Sequence, residues 1–211
     1  MPDVGSNSPL DREKTAKAVQ EKSTFSKLLR EALSRSLEFL DIIQSHSPER
    51  RNSFQEMAPG KETSPNTRPG IVFKLNLLSV YLQLVMIYEK IIHLLRACLL
   101  EELLVEIPDL EIAPGGQMGN NMQIKLLIHA ILHQFELIEQ ILGLPAECRV
   151  TDKDGVYPGV RLLEDSNTKS LLEAVGFGKG SEVTGIDDHG SRILTSLRDG
   201  LRNVQIALNM I

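Results

Sequence analysis

The chain contains no tryptophan, and aromatic residues make up only 4% of its 211 positions. Strands draw on aromatic and β-branched side chains, so this poverty argues against a sandwich or a barrel. Cysteine is equally sparse. Cys98 and Cys148 stand far apart and neither belongs to a CxxC pair, which excludes a zinc finger, a dithiol redox motif and a disulfide framework. Two lone thiols fit a reducing compartment, where free cysteines serve as small core hydrophobes. A basic excess is missing too, since the formal net charge is −5. Affinity for nucleic acid rests on Lys and Arg clustered against phosphates, so the chain is not expected to bind nucleic acid by itself. No apolar run is long and unbroken. The stretch from Ile71 to Leu104 is interrupted by Lys74, Glu89, Lys90, Arg96, Glu101 and Glu102. Its longest uncharged piece, Leu75 to Tyr88, falls short of the roughly 18–20 residues that cross a bilayer, so no membrane association is expected. Met1 to Gln20 is polar and charged, unlike a signal peptide or an Arg-rich transit sequence. The expected location is the nucleus or the cytoplasm.

What is present is a chain that is 42% apolar, enough for a real core and too much for wholesale disorder. Charge and proline are unevenly placed. The first 69 residues hold six of the ten prolines and a net charge of +1, whereas residues 70–211 carry −6. Residues 1–22 read as a disordered tail. From Ser23 or Thr24, Phe25, Leu28, Leu29, Leu33, Leu37, Leu40 and Ile43 recur at steps of three and four, which predicts an amphipathic helix over 23–44. Residues 45–70 form a Ser/Pro-rich linker. A helical domain then fills 71–211.

Its first helix runs from about Ile71 to Val105, with apolar residues so continuous that burial on most sides is expected. Pro108 stops it. Asn120 or Asn121 can cap the next helix, whose face is Ile124, Leu127, Ile128, Ile131, Leu132, Phe135, Ile138 and Leu142. Gly143 and Pro145 end it. A short helix is expected around Ser170 to Val175, closed by Gly176, Gly178 and Gly180. The last helix starts near Gly190 or Ser191. Its seam is Ile193 or Leu194, then Leu197, Leu201, Val204 and Leu208, suited to another helix of the chain or of a partner. The expected fold is all-α: an irregular bundle of about four main helices joined by long loops.

The sharpest chemical constellation is His129, His133 and Glu136. At i, i+4 and i+7 of a helix they share one side. Two His one turn apart have a zinc-ligand spacing, but Ala130 stands where HExxH would place its glutamate, and no distant cluster completes a ligand shell. A polar flank of an amphipathic helix accounts for the three residues. Glu136 and Glu139 also share a face, whereas the adjacent Glu101 and Glu102 point about 100° apart; both pairs read as solvated surface. Asp152, Asp154 and Gly155 resemble the start of a calcium loop, but Leu163 occupies the twelfth position, where a glutamate is needed. Gly176, Gly178 and Gly180 surround a lysine without the following Ser/Thr of a phosphate-binding loop. No cofactor or metal site is assembled. Ser47, Ser53 and Ser64 sit in proline-directed or basic-directed contexts and are candidate phosphorylation sites on an exposed tether.

One stretch carries a family likeness. Ser79-Val80-Tyr81-Leu82-Gln83-Leu84-Val85-Met86-Ile87-Tyr88 resembles a helix in the C-terminal half of fungal binuclear-zinc-cluster transcription factors of the aflatoxin-regulator-like kind. Ile107-Pro108-Asp109-Leu110-Glu111-Ile112 is similar to the loop that follows in them. Met122 to Ile128, His133, Ile138-Glu139 and Leu142-Gly143-Leu144-Pro145 are similar to their next helix and its close. The resemblance covers about a third of the chain. It implies the regulatory half of such a factor. Their six-cysteine DNA-reading cluster has no counterpart here, because the first 69 residues contain no cysteine.

The expected function is therefore transcription regulation in a fungal secondary-metabolite gene cluster, exerted through protein contacts. The partner would be another transcription factor or a second copy. The helix from Ile71 and the final Leu-rich seam are candidate contact surfaces. Two other classes remain open at this point. One is a small helical enzyme of natural-product biosynthesis using His129, His133 or Glu136 as acid or base; a deep pocket exposing them would favour it. The other is a non-catalytic scaffold.

Overall fold

The computed structural model describes residues 9–46, 70–100, 120–151, 161–163, 167–177 and 189–210. Among them there are five α-helices and no strand: α1 (Pro9–Ser45), α2 (Ile71–Leu100), α3 (Asn120–Leu142), α4 (Thr168–Leu172) and α5 (His189–Met210). A 3-10 turn, Ala146–Cys148, follows α3, and a wide turn, Glu173–Phe177, follows α4. The all-α class expected from the sequence is the class observed. Ser47, Ser53, Ser64, Glu101, Glu102, Asp152, Asp154 and Gly178 to Gly180 lie outside the described residues.

Helix α1 starts at Pro9, well before the Ser23–Thr24 start marked by apolar spacing. Proline suits a first helical position, and Arg12, Glu13, Lys14, Ala16, Lys17 and Ala18 are strong helix formers. Apolar periodicity marks only the part that carries a regular apolar stripe. The packed seam also differs from the expected one. Phe25, Leu29, Ala32, Ser36, Phe39 and Ile43 are buried, at steps alternating four and three, while Leu37 is 56% exposed. The small Ala32 and Ser36 occupy the line of contact. Leu28, Leu33 and Leu40 flank it, half-buried.

Helix α2 is long and apolar enough to cross a bilayer by composition, yet it is not enclosed on most sides, as its continuity suggested. Leu77, Leu78, Tyr81, Leu84, Val85, Tyr88, Ile91, Ile92 and Leu95 form one buried face. Asn76, Ser79, Gln83, Lys90, His93 and Arg96 stand exposed opposite. The apolar residues are continuous because this face is wide: it meets both α1 and α5.

Neighbour relations give the bundle a ring order α1, α2, α5, α3, since α1 and α5 each pack against both α2 and α3. Helices α2 and α3 are thus diagonal. The scarce aromatics span this diagonal. Tyr81 and Tyr88 both meet Phe135 edge-on, with ring centroids 6.1 and 5.3 Å apart, an arrangement aromatic rings favour. On the α2–α5 side Gly200 lets the helices approach closely, since a Cβ there would lie 2.9 Å from Ile92 Cγ2. The α5 seam of Leu194, Leu197, Leu201, Val204 and Leu208 is buried within the chain.

Candidate functional site

Helix α3 ends in a hydrogen-bonded stop. Gly143 adopts φ 74°, a left-handed conformation that glycine enters without steric penalty. Leu144 N donates to the Glu139 carbonyl (3.1 Å) and Gly143 N to the Gln140 carbonyl (3.2 Å), the paired closure of a Schellman motif. Leu162 and Leu163 then donate to the carbonyls of Ile141 and Leu142. From this stop residues 144–151 run back over the bundle as a strap.

Two side chains fasten the strap from opposite sides. From beneath, Glu139 is only 1% exposed. Its carboxylate accepts from Tyr81 Oη (2.8 Å), Val150 N, Thr151 N (3.3 Å) and Thr151 Oγ1. From α5, Arg198 Nε donates to the Arg149 carbonyl (2.7 Å), and its Nη2 donates to the carbonyls of Ala146 (3.0 Å), Glu147 and Arg149. A buried carboxyl needs such donors, because desolvation without them costs several kcal/mol. Burial raises the Glu139 carboxyl above its ordinary range, while hydrogen bonds from Thr151, Val150 and Tyr81 pull it back. Tyr81 Oη has one proton and two acceptors, Glu139 and the Cys148 carbonyl at 3.0 Å. When Glu139 is protonated, it can donate to Tyr81 and Tyr81 to the carbonyl, so both forms satisfy the knot.

Burial, and then the charge of Glu139, push the Tyr81 phenol well above its ordinary range. Burial, and then Glu147, push the Cys148 thiol up to about 11. Both keep their protons at neutral pH and offer neither a base nor a nucleophile, because the thiolate is the reactive form of cysteine. A second polar link crosses the bundle nearby. Ser36 Oγ lies 2.9 Å from Tyr88 Oη, which donates to Gln134 Oε1 (3.0 Å). Burial pushes the Tyr88 phenol up to about 12. These clusters tie the helices and the strap to one another.

The surface beside the strap is different. His129, His133 and Glu136 line one groove between α3 and α5, as their shared helix side predicts. Opposite them stand Arg198, Arg202 and Gln205, again at i, i+4 and i+7. Leu132, Leu201, Val150 and Thr151 complete the groove, whose volume is about 560 Å³. His129 and His133 are exposed and Glu136 is half-buried. Among the described residues no three His, Cys, Asp or Glu side chains gather closely enough to hold a metal ion.

Sequence reasoning placed Glu139 on a solvated surface beside Glu136, and the structure corrects this. One residue beyond Ile138, Glu139 turns inward under the strap. Tyr81, Thr151 and Arg198 were missed as well. A signal existed: Tyr81 and Tyr88 are the two tyrosines of the quoted helix pattern, and Glu139 belongs to its Ile-Glu element.

Comparison with known proteins places these features in context. The sequence matches the CcsR C-terminal domain family over residues 6–210. Over 46 residues it is 41% identical to a protein of Phaeosphaeria nodorum (strain SN15) described as the stemphyloxin II biosynthesis cluster transcription factor sthR. That match takes in 22% of this chain and 11% of the relative, so the chain covers about a tenth of that protein's length. No solved structure matches.

Proposed function

The chain belongs to the CcsR C-terminal domain family, and on that footing we infer that it is a transcription-regulatory protein of a fungal biosynthetic gene cluster. The observation that carries the reading is the 41% identity to a cluster transcription factor over 46 residues. The resemblance of the Tyr81–Tyr88 helix to regulatory halves of zinc-cluster factors agrees with it. The protein works in the nucleus through contacts with another protein, either a transcription factor or a second copy of itself. The acidic balance of residues 70–211, net −6, supports protein contact over direct contact with phosphates. The α5 seam and the apolar face of α2 are turned inward, so a partner meets other surfaces. Leu37 and Ile42 on α1, Ile71 and Val72 at the start of α2, Met122 on α3 and Ile206 on α5, each about half exposed or more, are among the apolar side chains available to it.

The test is chromatin association in the producing fungus. The tagged protein is expected to be enriched at promoters of its neighbouring biosynthetic genes, and the enrichment to depend on a co-purifying factor. Absence of enrichment at any of those promoters would remove the reading.

A further inference from the structure

We propose that the groove between α3 and α5 is a binding site for a small amphiphilic carboxylic acid, its carboxylate held by the arginine wall and its apolar body lying on Leu132, Val150 and Leu201. Three observations carry this. The first is charge. Among the residues that line the groove, Arg198 and Arg202 are two cations and Glu136 is the one carboxylate, in a region whose net charge is −6. Arg198 spends its donors on neutral carbonyls, so its charge is positioned but not cancelled, and guanidinium stays protonated. Arg202 lies 4.0 Å from Asp199, with both side chains largely exposed, a pairing weak enough for a ligand carboxylate to displace.

The second observation is shape. The volume of about 560 Å³ lies within the range of roughly 300–1,000 Å³ typical of small-molecule sites. Each polar row spans seven residue steps, about 10 Å along its helix. The third is the distribution of polarity. A partner helix laid in a groove needs apolar walls on both sides of its stripe. Here the polar rows are His129, His133 and Glu136 against Arg198, Arg202 and Gln205, and the apolar lining is narrow, the half-buried Leu132 with the edges of Val150 and Leu201, which suits a slender chain with one anionic end. The floor is also preorganised, because Val150 and Thr151 are tied to Glu139 and Arg198 is tied to the strap.

The inference does not depend on the transcriptional reading, because it is tested on the purified 211-residue chain. Decanoate is titrated by calorimetry, with decanol and decyltrimethylammonium as probes of equal chain length, and the histidine side-chain signals are followed by NMR. Decanoate is expected to bind and to shift the His129 and His133 signals. Binding should weaken with added salt, and roughly tenfold in Arg202→Gln, the loss expected for one charge-assisted hydrogen bond. Arg35→Gln, on the exposed side of α1, should leave it unchanged. Circular dichroism confirms that both variants fold. No binding of decanoate, equal binding of all three probes, or equal affinity in Arg202→Gln would overturn the proposal. So would recognition of a Glu-rich helical peptide by the same residues without decanoate binding.

Discussion

Replacing Glu139 by Ala removes at one stroke the acceptor for four donors. Tyr81 Oη retains the Cys148 carbonyl at 3.0 Å, and the Thr151 hydroxyl can rotate. The Val150 and Thr151 amides lose their acceptor at positions only 4% and 9% exposed. Each buried donor left unmade costs about 1–3 kcal/mol, and the missing carboxymethyl group adds a cavity term. Allowing for partial collapse of the strap, the expected loss is about 3–5 kcal/mol, a large share of the roughly 5–15 kcal/mol that holds a domain together. Glu139→Gln keeps one acceptor oxygen but points an amide NH₂ at donors, so its expected cost is about 1–3 kcal/mol. Urea unfolding followed by far-ultraviolet circular dichroism measures both, the chain having no tryptophan to report by fluorescence. The two variants also differ from wild type in pH dependence. Burial raises the folded carboxyl above its ordinary value of 4.5, so the folded form holds its proton longer than the unfolded form. The contribution is full below about pH 4.5 and is lost as pH rises through the folded value. That limb should vanish in Glu139→Gln. An Ala variant within 0.5 kcal/mol of wild type, or an unchanged pH limb in the Gln variant, would refute the account of the knot.

Other positions give sharper contrasts. Gly200→Ala raises helix propensity by about 1 kcal/mol, yet its Cβ would meet Ile92 at 2.9 Å. A net loss of about 1–2 kcal/mol is expected, relieved by adding Ile92→Leu, which removes the Cγ2 methyl that the new Cβ meets; denaturant midpoints of the single and double variants decide it. Leu37→Ala should cost under about 0.5 kcal/mol and Phe39→Ala about 3–5 kcal/mol, the reverse of the apolar spacing along α1, which took in Leu37 and left out Phe39, and thermal melts separate them. Arg198→Ala releases the strap carbonyls and should speed amide exchange at residues 148–151 with little change in the α1–α2 pair, measured by hydrogen–deuterium exchange.

Much of the fold was legible because the helices announce themselves by period and punctuation. Gly143 with its positive φ closes α3 where the Gly–Pro pattern placed the stop, and Leu194 to Leu208 form the seam that the spacing drew. The errors share one cause, which is that hydropathy counts apolar residues and packing selects shapes. Ala32 and Ser36 lie on the α1 seam because Tyr88 comes down over Ser36, while a full leucine at 37 faces out. The groove residues His129, His133 and Glu136 could be assigned to one side from i, i+4 and i+7 alone. Their opposite wall, Arg198 with Arg202 and Gln205, could not, because only the ring order of helices brings α5 beside α3. Glu139 was hidden for a related reason: a carboxylate is buried only when a chain segment from elsewhere supplies donors, and nothing local to α3 shows the strap returning over it.

The most direct test of the regulatory reading is the transcript level of the neighbouring biosynthetic genes after deletion of this gene and after its reintroduction. The account predicts that these transcripts shift together on deletion and return with the intact gene. Transcripts that stay unchanged through both steps, under conditions where the cluster is expressed, would contradict it.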